Sequence, residues 1–394
     1  MTPQQPIHFQ SSTLPPKDHP INPKPNPLGL HIHEIAQLLA QINQPPYRAQ
    51  QIAHWLYKKR IWNWDAMSDL PKNLRSFLHS SFNLSLPKLL FATASTDKTQ
   101  KFLLQLTDGQ LIETVLIPAS PALYGSTSDR LTLCVSTQVG CAFACKFCAS
   151  GLNGWKRNLS PEEIVAQILL IESSKNVNID NIVFMGMGEP LANFQNLLKA
   201  IDILTAPWGR NIGARHITIS TSGLVPFIRK LAHLPRQIRL AISLHGATDE
   251  VRSQIMPINR KYPLSELLDA CAEYVRHKKQ LLTFEYILIS GLNDSHSDAV
   301  ALAKIAKPLR AKINLIPYNF VQGLPWQRPT PDVQESFLRT LRSLHVKATL
   351  RREKGHSIAA ACGQLSLLHP DHLQLNNAPN FLQTCNQNSL PEHP

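Results

Sequence analysis

No stretch of this 394-residue chain is long and apolar enough to cross a membrane. Its first residues lack the basic start and apolar run of a signal peptide, and they lack the Ser- and Arg-rich amphipathic character of a transit peptide. The cytoplasm is the expected compartment. Acidic residues are scarce, with 27 Asp and Glu against 40 Lys and Arg and a formal charge of +13. That balance favours a polyanionic partner such as nucleic acid over a small neutral substrate. Cysteines are few, seven in all, yet three fall within CAFACKFC, Cys141 to Cys148. In a reducing compartment such a cluster points to metal binding before a structural disulfide.

With 43% hydrophobic residues there is ample material for a packed core. Residues 1–28 are Pro-rich with little apolar clustering and are expected to form a disordered leader, and the polar stretch 369–394 a disordered tail. Between them, apolar residues at three- and four-residue spacing in HIHEIAQLLAQINQ, YRAQQIAHWLYKKR and LPKNLRSFLHSSF predict a small helical domain over 29–95. Its Arg48, Lys58, Lys59 and Arg60 are either phosphate contacts or a solvated helix face. KFLLQLT and QLIETVLIP flank Asp108-Gly109 and predict a tight hairpin with a two-residue turn within 96–125.

Residues 126–352 alternate strand and helix. The strands are LTLCVST, IDNIVFM, HITIS, IRLAISL, LLTFEYIL, KINLIP and VKATLR, and Ser160, Pro161 and Glu163 mark one helix start. Six or seven βα steps suit an incomplete α/β barrel of the (β/α)6 type, with a doubly wound sheet as the alternative. A barrel places chemistry in the loops after its strands. The unusual residues do fall there: CAFACKFC, GMGEP, STSG, SLH, PYN and, in the loop 353–368, AAACGQL.

The spacing C-x3-C-x2-C leaves two readings of the metal. Zinc needs a fourth ligand, with His216 or His245 as candidates. An iron-sulfur cluster held by three thiolates keeps one iron open for a cofactor.

The second reading is reinforced by resemblance. The cysteine triplet followed by GEP resembles the radical S-adenosylmethionine (SAM) enzymes. CVSTQVGCAFACKFCASG, FMGMGEPLAN, ITISTSGLVP, AISLHGATDEVRSQIMPINRKYP, KINLIPYN and AAACGQL, in this order, resemble the RlmN/Cfr family of RNA adenine methyltransferases, and YRAQQIAHWLYKKR resembles that family's accessory domain; the resemblance covers about residues 30 to 368. It implies a partial radical SAM barrel with a [4Fe-4S] cluster on Cys141, Cys145 and Cys148. It implies SAM contacts at Gly188, Glu189, Ser220, Ser243, Leu244, His245 and Asn319.

The resemblance also implies two SAM molecules per turnover, one methylating Cys362 and one supplying a deoxyadenosyl radical that activates that methyl for addition to adenine. Cys134 then resolves the RNA tether by forming a disulfide with Cys362, and Glu113 matches the family's proton acceptor. The implied substrates are 23S rRNA and transfer RNA, methylated at adenosine carbon 2, with an external electron donor such as flavodoxin and no membrane partner. A Cfr-like enzyme acting on carbon 8 and a non-catalytic iron-sulfur RNA-binding protein are the alternatives. Cys271 is expected to be packing. Lys156, Arg157, Arg351, Arg352 and Lys354 are candidate phosphate contacts, with Trp155 and Trp326 for base stacking. The long connection PASPALYGSTSDR and the pair His356 and Ser357 depart from the family pattern.

Overall fold

The computed structural model describes residues 24–119, 128–151, 154–321, 323–351, 358, 360, 361 and 363–365. Most of the leader, the tail, His356, Ser357 and Cys362 therefore lie outside the described residues. None of the described helices is long and apolar enough to cross a membrane.

Chain packing begins earlier than residue 29. Leu28 is fully buried and its carbonyl accepts a hydrogen bond from the Tyr57 hydroxyl at 3.2 Å, while the Asn26 amide donates to the Ser85 carbonyl at 2.7 Å. The helical unit comprises α1 (Ile32–Ala40), α2 (Tyr47–Ala53), continued by a π-helical turn over His54–Lys59, and α3 (Lys72–Ser81). It is joined to the rest by a buried carboxylate. Glu172 is fully buried and takes Arg60 at 3.3 Å and Arg210 at 2.6 Å.

Paired charges of this kind are expensive to break, because the partner left behind has no water to replace what it lost. Arg60 is thus committed to the domain junction. Arg48 donates to Gln51 Oε1 and the Asp69 carbonyl, and Lys59 sits 3.4 Å from the Trp55 ring centre. Those three cations serve the fold.

A ten-stranded sheet follows. It runs β1 (Lys88–Ala94), β2 (Gln100–Gln105), β3 (Leu111–Pro118), β4 (Leu131–Cys134), β7 (Asn181–Phe184), β8 (Ile217–Thr221), β9 (Arg239–Ser243), β10 (Thr283–Leu288), β11 (Lys312–Pro317) and β12 (Ala348–Leu350). From β4 onward every neighbouring pair is parallel. Strand order follows chain order without the reversal of a doubly wound sheet. The parallel strands are the incomplete barrel.

The hairpin belongs to the same sheet, since β2–β3 and β3–β4 are antiparallel pairs. Strand β1, absent from the sequence expectation, extends it by one more strand. The turn is a three-residue loop: Leu106 donates to the Gln110 carbonyl at 2.8 Å, and Gly109, unlike Asp108, has positive φ, at 82°. That arrangement matches a type I turn closed by a left-handed glycine. The long connection between β3 and β4 leaves their register intact, because Ala119 donates to the Arg130 carbonyl at 2.8 Å beyond the pair Pro118–Leu131.

A second, two-stranded ribbon, β5 (Gln138–Gly140) with β6 (Trp155–Asn158), brackets the three-cysteine loop. Arg157 in this ribbon pairs with Asp108 at 2.8 Å and with Glu163 at 2.8 Å. It clamps the hairpin tip to the next helix, Pro161–Lys175, rather than standing open to phosphate. Glu163 also caps that helix by accepting from the Ser160 amide at 3.0 Å.

Candidate active site

The cysteine loop is held from three sides. Cys141 N donates to Gly154 O at 3.1 Å and closes the ribbon, and Lys146 N donates to Ile255 O at 2.9 Å at the end of the helix Asp249–Ile255. Ala149 N donates to Gly363 O at 2.8 Å, and the Ser150 hydroxyl donates to Leu365 O at 2.6 Å. The described chain around Cys362 is therefore fastened to the cysteine loop, although Cys362 lies outside the described residues.

Burial pushes the Cys141 thiol up to about 12 and the Cys145 thiol well above its ordinary value, and neighbouring thiolate charge adds to both. Thiols in this setting ionise only against a cation, as cluster iron would provide. Among the described residues, a separate surface group of His233, Glu273 and His277 has its ligand atoms within 4.8 Å of one another.

Neither histidine proposed as a fourth zinc ligand is placed for it. His216 precedes β8, at the N-terminal end of the barrel strands, and its Nδ1 lies 3.0 Å from Asn181 Oδ1. His245 is 4% exposed; its Nδ1 accepts from the Ile287 amide at 3.1 Å and its ring meets Phe147 edge-on at 4.6 Å. Burial and the Arg252 charge lower its pKa to about 3, so it is neutral. It braces Phe147 inside the cysteine loop, with its own backbone in the left-handed region at φ 57° and its carbonyl held by Asn293 at 2.8 Å.

The loop after β7 is the second component. Gly188 has φ 97°, and a Cβ there would lie 2.5 Å from Gln138 Cβ, so only glycine fits. Glu189 is 4% exposed and bridges two loops, with Oε1 accepting from Leu191 N at 3.0 Å and Oε2 from Ser222 N at 2.7 Å. Burial raises its pKa. Ser220 and Ser243 lie at the C-terminal ends of β8 and β9, Leu244 follows with its amide on Glu285 O at 3.0 Å, and Asn319 follows β11 and accepts from Arg328 at 3.2 Å. All seven predicted SAM contacts thus sit at one end of the barrel.

Arg252 escaped the sequence reading. Fully buried, it donates from Nε to Leu244 O at 3.1 Å, from Nη1 to Asn259 Oδ1 at 2.7 Å and from Nη2 to Ser222 O. It ties three loops together, and its charge acts on Cys145. The only signal for it was a charged residue inside a motif otherwise read for its Ser-Leu-His.

The third component is the antiparallel wing. Register places Val115 opposite Cys134, and alternation puts Glu113 on the same sheet face. Cys134 ends β4 and is 7% exposed, and Glu113 is 3% exposed. The Ser136 hydroxyl donates to the Glu113 carbonyl at 2.6 Å while its oxygen accepts from the Met187 amide at 2.9 Å, which joins the wing to the Gly188 loop. Lys101 Nζ is 3.0 Å from Glu113 Oε1, an ion pair the sequence reading did not anticipate. Burial raises the Glu113 pKa to about 7 against the opposing pull of Lys101.

The same sheet face continues into a cavity of about 670 Å³ lined by Thr132, Val183, Thr218 and Glu285 and by four cations, Arg215, Arg239, Lys312 and Arg351. Trp326 lines a separate cleft of about 640 Å³ beside Cys145 and Lys146, and Trp155 is half-exposed on the ribbon. Arg352 and Lys354 fall outside the described residues. Cys271 is fully buried, as packing requires.

A partial barrel with a three-cysteine loop at the C-terminal ends of its strands defines a radical SAM enzyme, and the Radical SAM superfamily model matches residues 135–303. A crystallised radical SAM methyltransferase from Sphaerobacter thermophilus is 42% identical with a TM-score of 0.81, covering 86% of this chain and 98% of that one. The model of the ribosomal RNA large subunit methyltransferase N-terminal domain matches residues 25–84. An RlmN relative in Akkermansia muciniphila is 53% identical over 85% of this chain and 93% of its own. The dual-specificity RNA methyltransferase RlmN of Anaeromyxobacter sp. is 42% identical over 87% and 91%. The chain belongs to the RlmN family of radical SAM RNA methyltransferases, whose cofactors are a [4Fe-4S] cluster and SAM.

Proposed function

We propose that this protein methylates carbon 2 of adenosine in 23S rRNA and in transfer RNA, in the cytoplasm, with Cys362 as methyl carrier and Cys134 as resolving thiol. The observation that carries the reading is the placement of Glu113 and Cys134 on one sheet face, joined through Ser136 to the Gly188 loop. When bound, the cluster on Cys141, Cys145 and Cys148 and the SAM held by Gly188, Glu189, Ser220, Ser243, Leu244, His245 and Asn319 supply the methyl group and the one-electron chemistry that an electron-poor ring carbon requires. An external donor such as flavodoxin provides the electron.

The chain's own residues do the rest. Cys362 carries the transferred carbon as a thioether and becomes joined through it to the adenine ring. Glu113 Oε2, buried and without a hydrogen-bond partner among the described residues, takes the proton from the ring carbon, and the unpaired electron left by the radical addition passes to a one-electron acceptor. The Cys134 thiolate attacks the sulfur of Cys362, so that a sulfur–sulfur bond forms and the sulfur–carbon bond breaks. Its electron pair goes to the methylene carbon, which takes a proton and becomes methyl; the disulfide needs a dithiol reductant before the next turnover.

Arg351, which follows β12 at the same end of the barrel as the cysteine loop, holds phosphate as the unstacked nucleotide enters. The helical unit, which begins before residue 29 and ends with α3, is the accessory domain; β1, expected within it, joins the hairpin that carries the base, 126–352 is the catalytic barrel and 353–368 the loop of the carrier cysteine. Mass spectrometry of RNA treated with the anaerobically reconstituted protein tests the regiochemistry. Methyl found at carbon 2 supports it; methyl confined to carbon 8 sinks it in favour of Cfr-like chemistry, and no methyl at all would leave the non-catalytic reading.

A further inference from the structure

We propose that Lys101 is a positioning residue that keeps Glu113 ionised and aimed at the ring carbon of the tethered adenosine; this rests on the reading of Glu113 as the base. Lys101 stands opposite Val115 across the β2–β3 pair, two residues along the strand from Glu113 and on the same sheet face. Its ammonium lies 3.0 Å from Glu113 Oε1, and the two residues are 8% and 3% exposed. Glu113 Oε2 is buried and, among the described residues, has no hydrogen-bond partner. A native fold seldom leaves a buried carboxylate oxygen unsatisfied without a use for it.

The arrangement divides the carboxylate between two tasks. One oxygen is tied to a cation, which favours the charged form, and the other stays open to receive a proton. Were the cation absent, a carboxylate so deeply buried would remain protonated at neutral pH and fail as a base. Were both oxygens paired, it would be too weak a base to act.

Among the described residues, the strands beside Glu113 bring few other titratable groups. Lys101 is the only one on β2, Cys134 the only one on β4, and β5 has none. The Glu113 pKa of about 7 is the balance between burial and Lys101. Its Oε2 takes the proton from carbon 2 while the C–H electron pair stays with the ring, the unpaired electron left by the radical addition passes to a one-electron acceptor, and Glu113 leaves the step as the neutral acid.

The test uses full-length reconstituted holoenzyme carrying Lys101→Met, Lys101→Arg or Glu113→Gln. RNA held covalently on the protein in denaturing gels and the rate of methylated product are followed between about pH 6 and pH 9. Glu113→Gln should hold the adduct throughout that range. Lys101→Met lets the Glu113 pKa climb, so the fraction present as base falls: product forms about tenfold more slowly near pH 7, adduct accumulates, and raising the pH relieves both.

Lys101→Arg should restore the parent profile, and KM for RNA should be unchanged in Lys101→Met. A purely structural role for Lys101 would lower the rate equally at every pH. Such a flat loss, or an unshifted profile, overturns the inference while Glu113→Gln still traps adduct. If Glu113→Gln resolves the adduct at the parent rate, the assignment of Glu113 as base fails first and the role of Lys101 falls with it.

Discussion

The loop from Cys141 to Cys148 and the wing of β2, β3 and β4 serve one reaction but are assembled by opposite means. The loop gathers its three thiols within one short segment, and the ribbon of β5 and β6 only has to close its ends. The wing draws Lys101, Glu113 and Cys134 from three strands, and sheet register alone brings them to one face. A ligand lost from the loop leaves the strands as they were. A slip of one residue in the wing would turn all its functional side chains to the other face.

Replacements confined to one region separate the two. Cys145→Ala should have the largest effect, because two thiolates cannot retain a cluster that needs three. Iron content and SAM cleavage should both vanish while the chain stays folded; retained SAM cleavage would break the assignment of the loop. Cys362→Ala should abolish methyl transfer with iron content unchanged, and methylated RNA from that variant would refute the carrier mechanism.

Cys134→Ala strikes the wing alone. SAM cleavage should continue while RNA accumulates on the protein, seen as a band of retarded mobility that disappears if the cysteine has no resolving role. Glu172→Ala leaves Arg60 and Arg210 without their buried partner and should cost about 3–5 kcal/mol, read as a lowered urea midpoint. Gly188→Ala lies at the seam between loop and wing. It combines backbone strain with collision against Gln138, should cost about 1–3 kcal/mol, and should weaken SAM binding in equilibrium dialysis.

The incomplete barrel was legible because each parallel strand is a compact apolar run followed by a helix of different period. The position of chemistry at the strand ends was legible for the same reason. Arg252 and Lys101 were not, since a charged residue within an apolar pattern reads as surface until its partners are known. The phosphate roles suggested for Arg60 and Arg157 met the same difficulty in reverse, as both are committed to buried or half-buried carboxylates.

Sequence by itself determined the ligand spacing, the order of strands and loops, and the excess of positive charge, all properties carried by residues close together along the chain. Tertiary structure decided which oxygen of Glu113 is tied and which is open, how His245 braces Phe147, and how Glu172 fastens the helical unit to the barrel. Those outcomes depend on strand register and burial, where a shift of a few ångströms changes whether a charge meets water, a partner or neither.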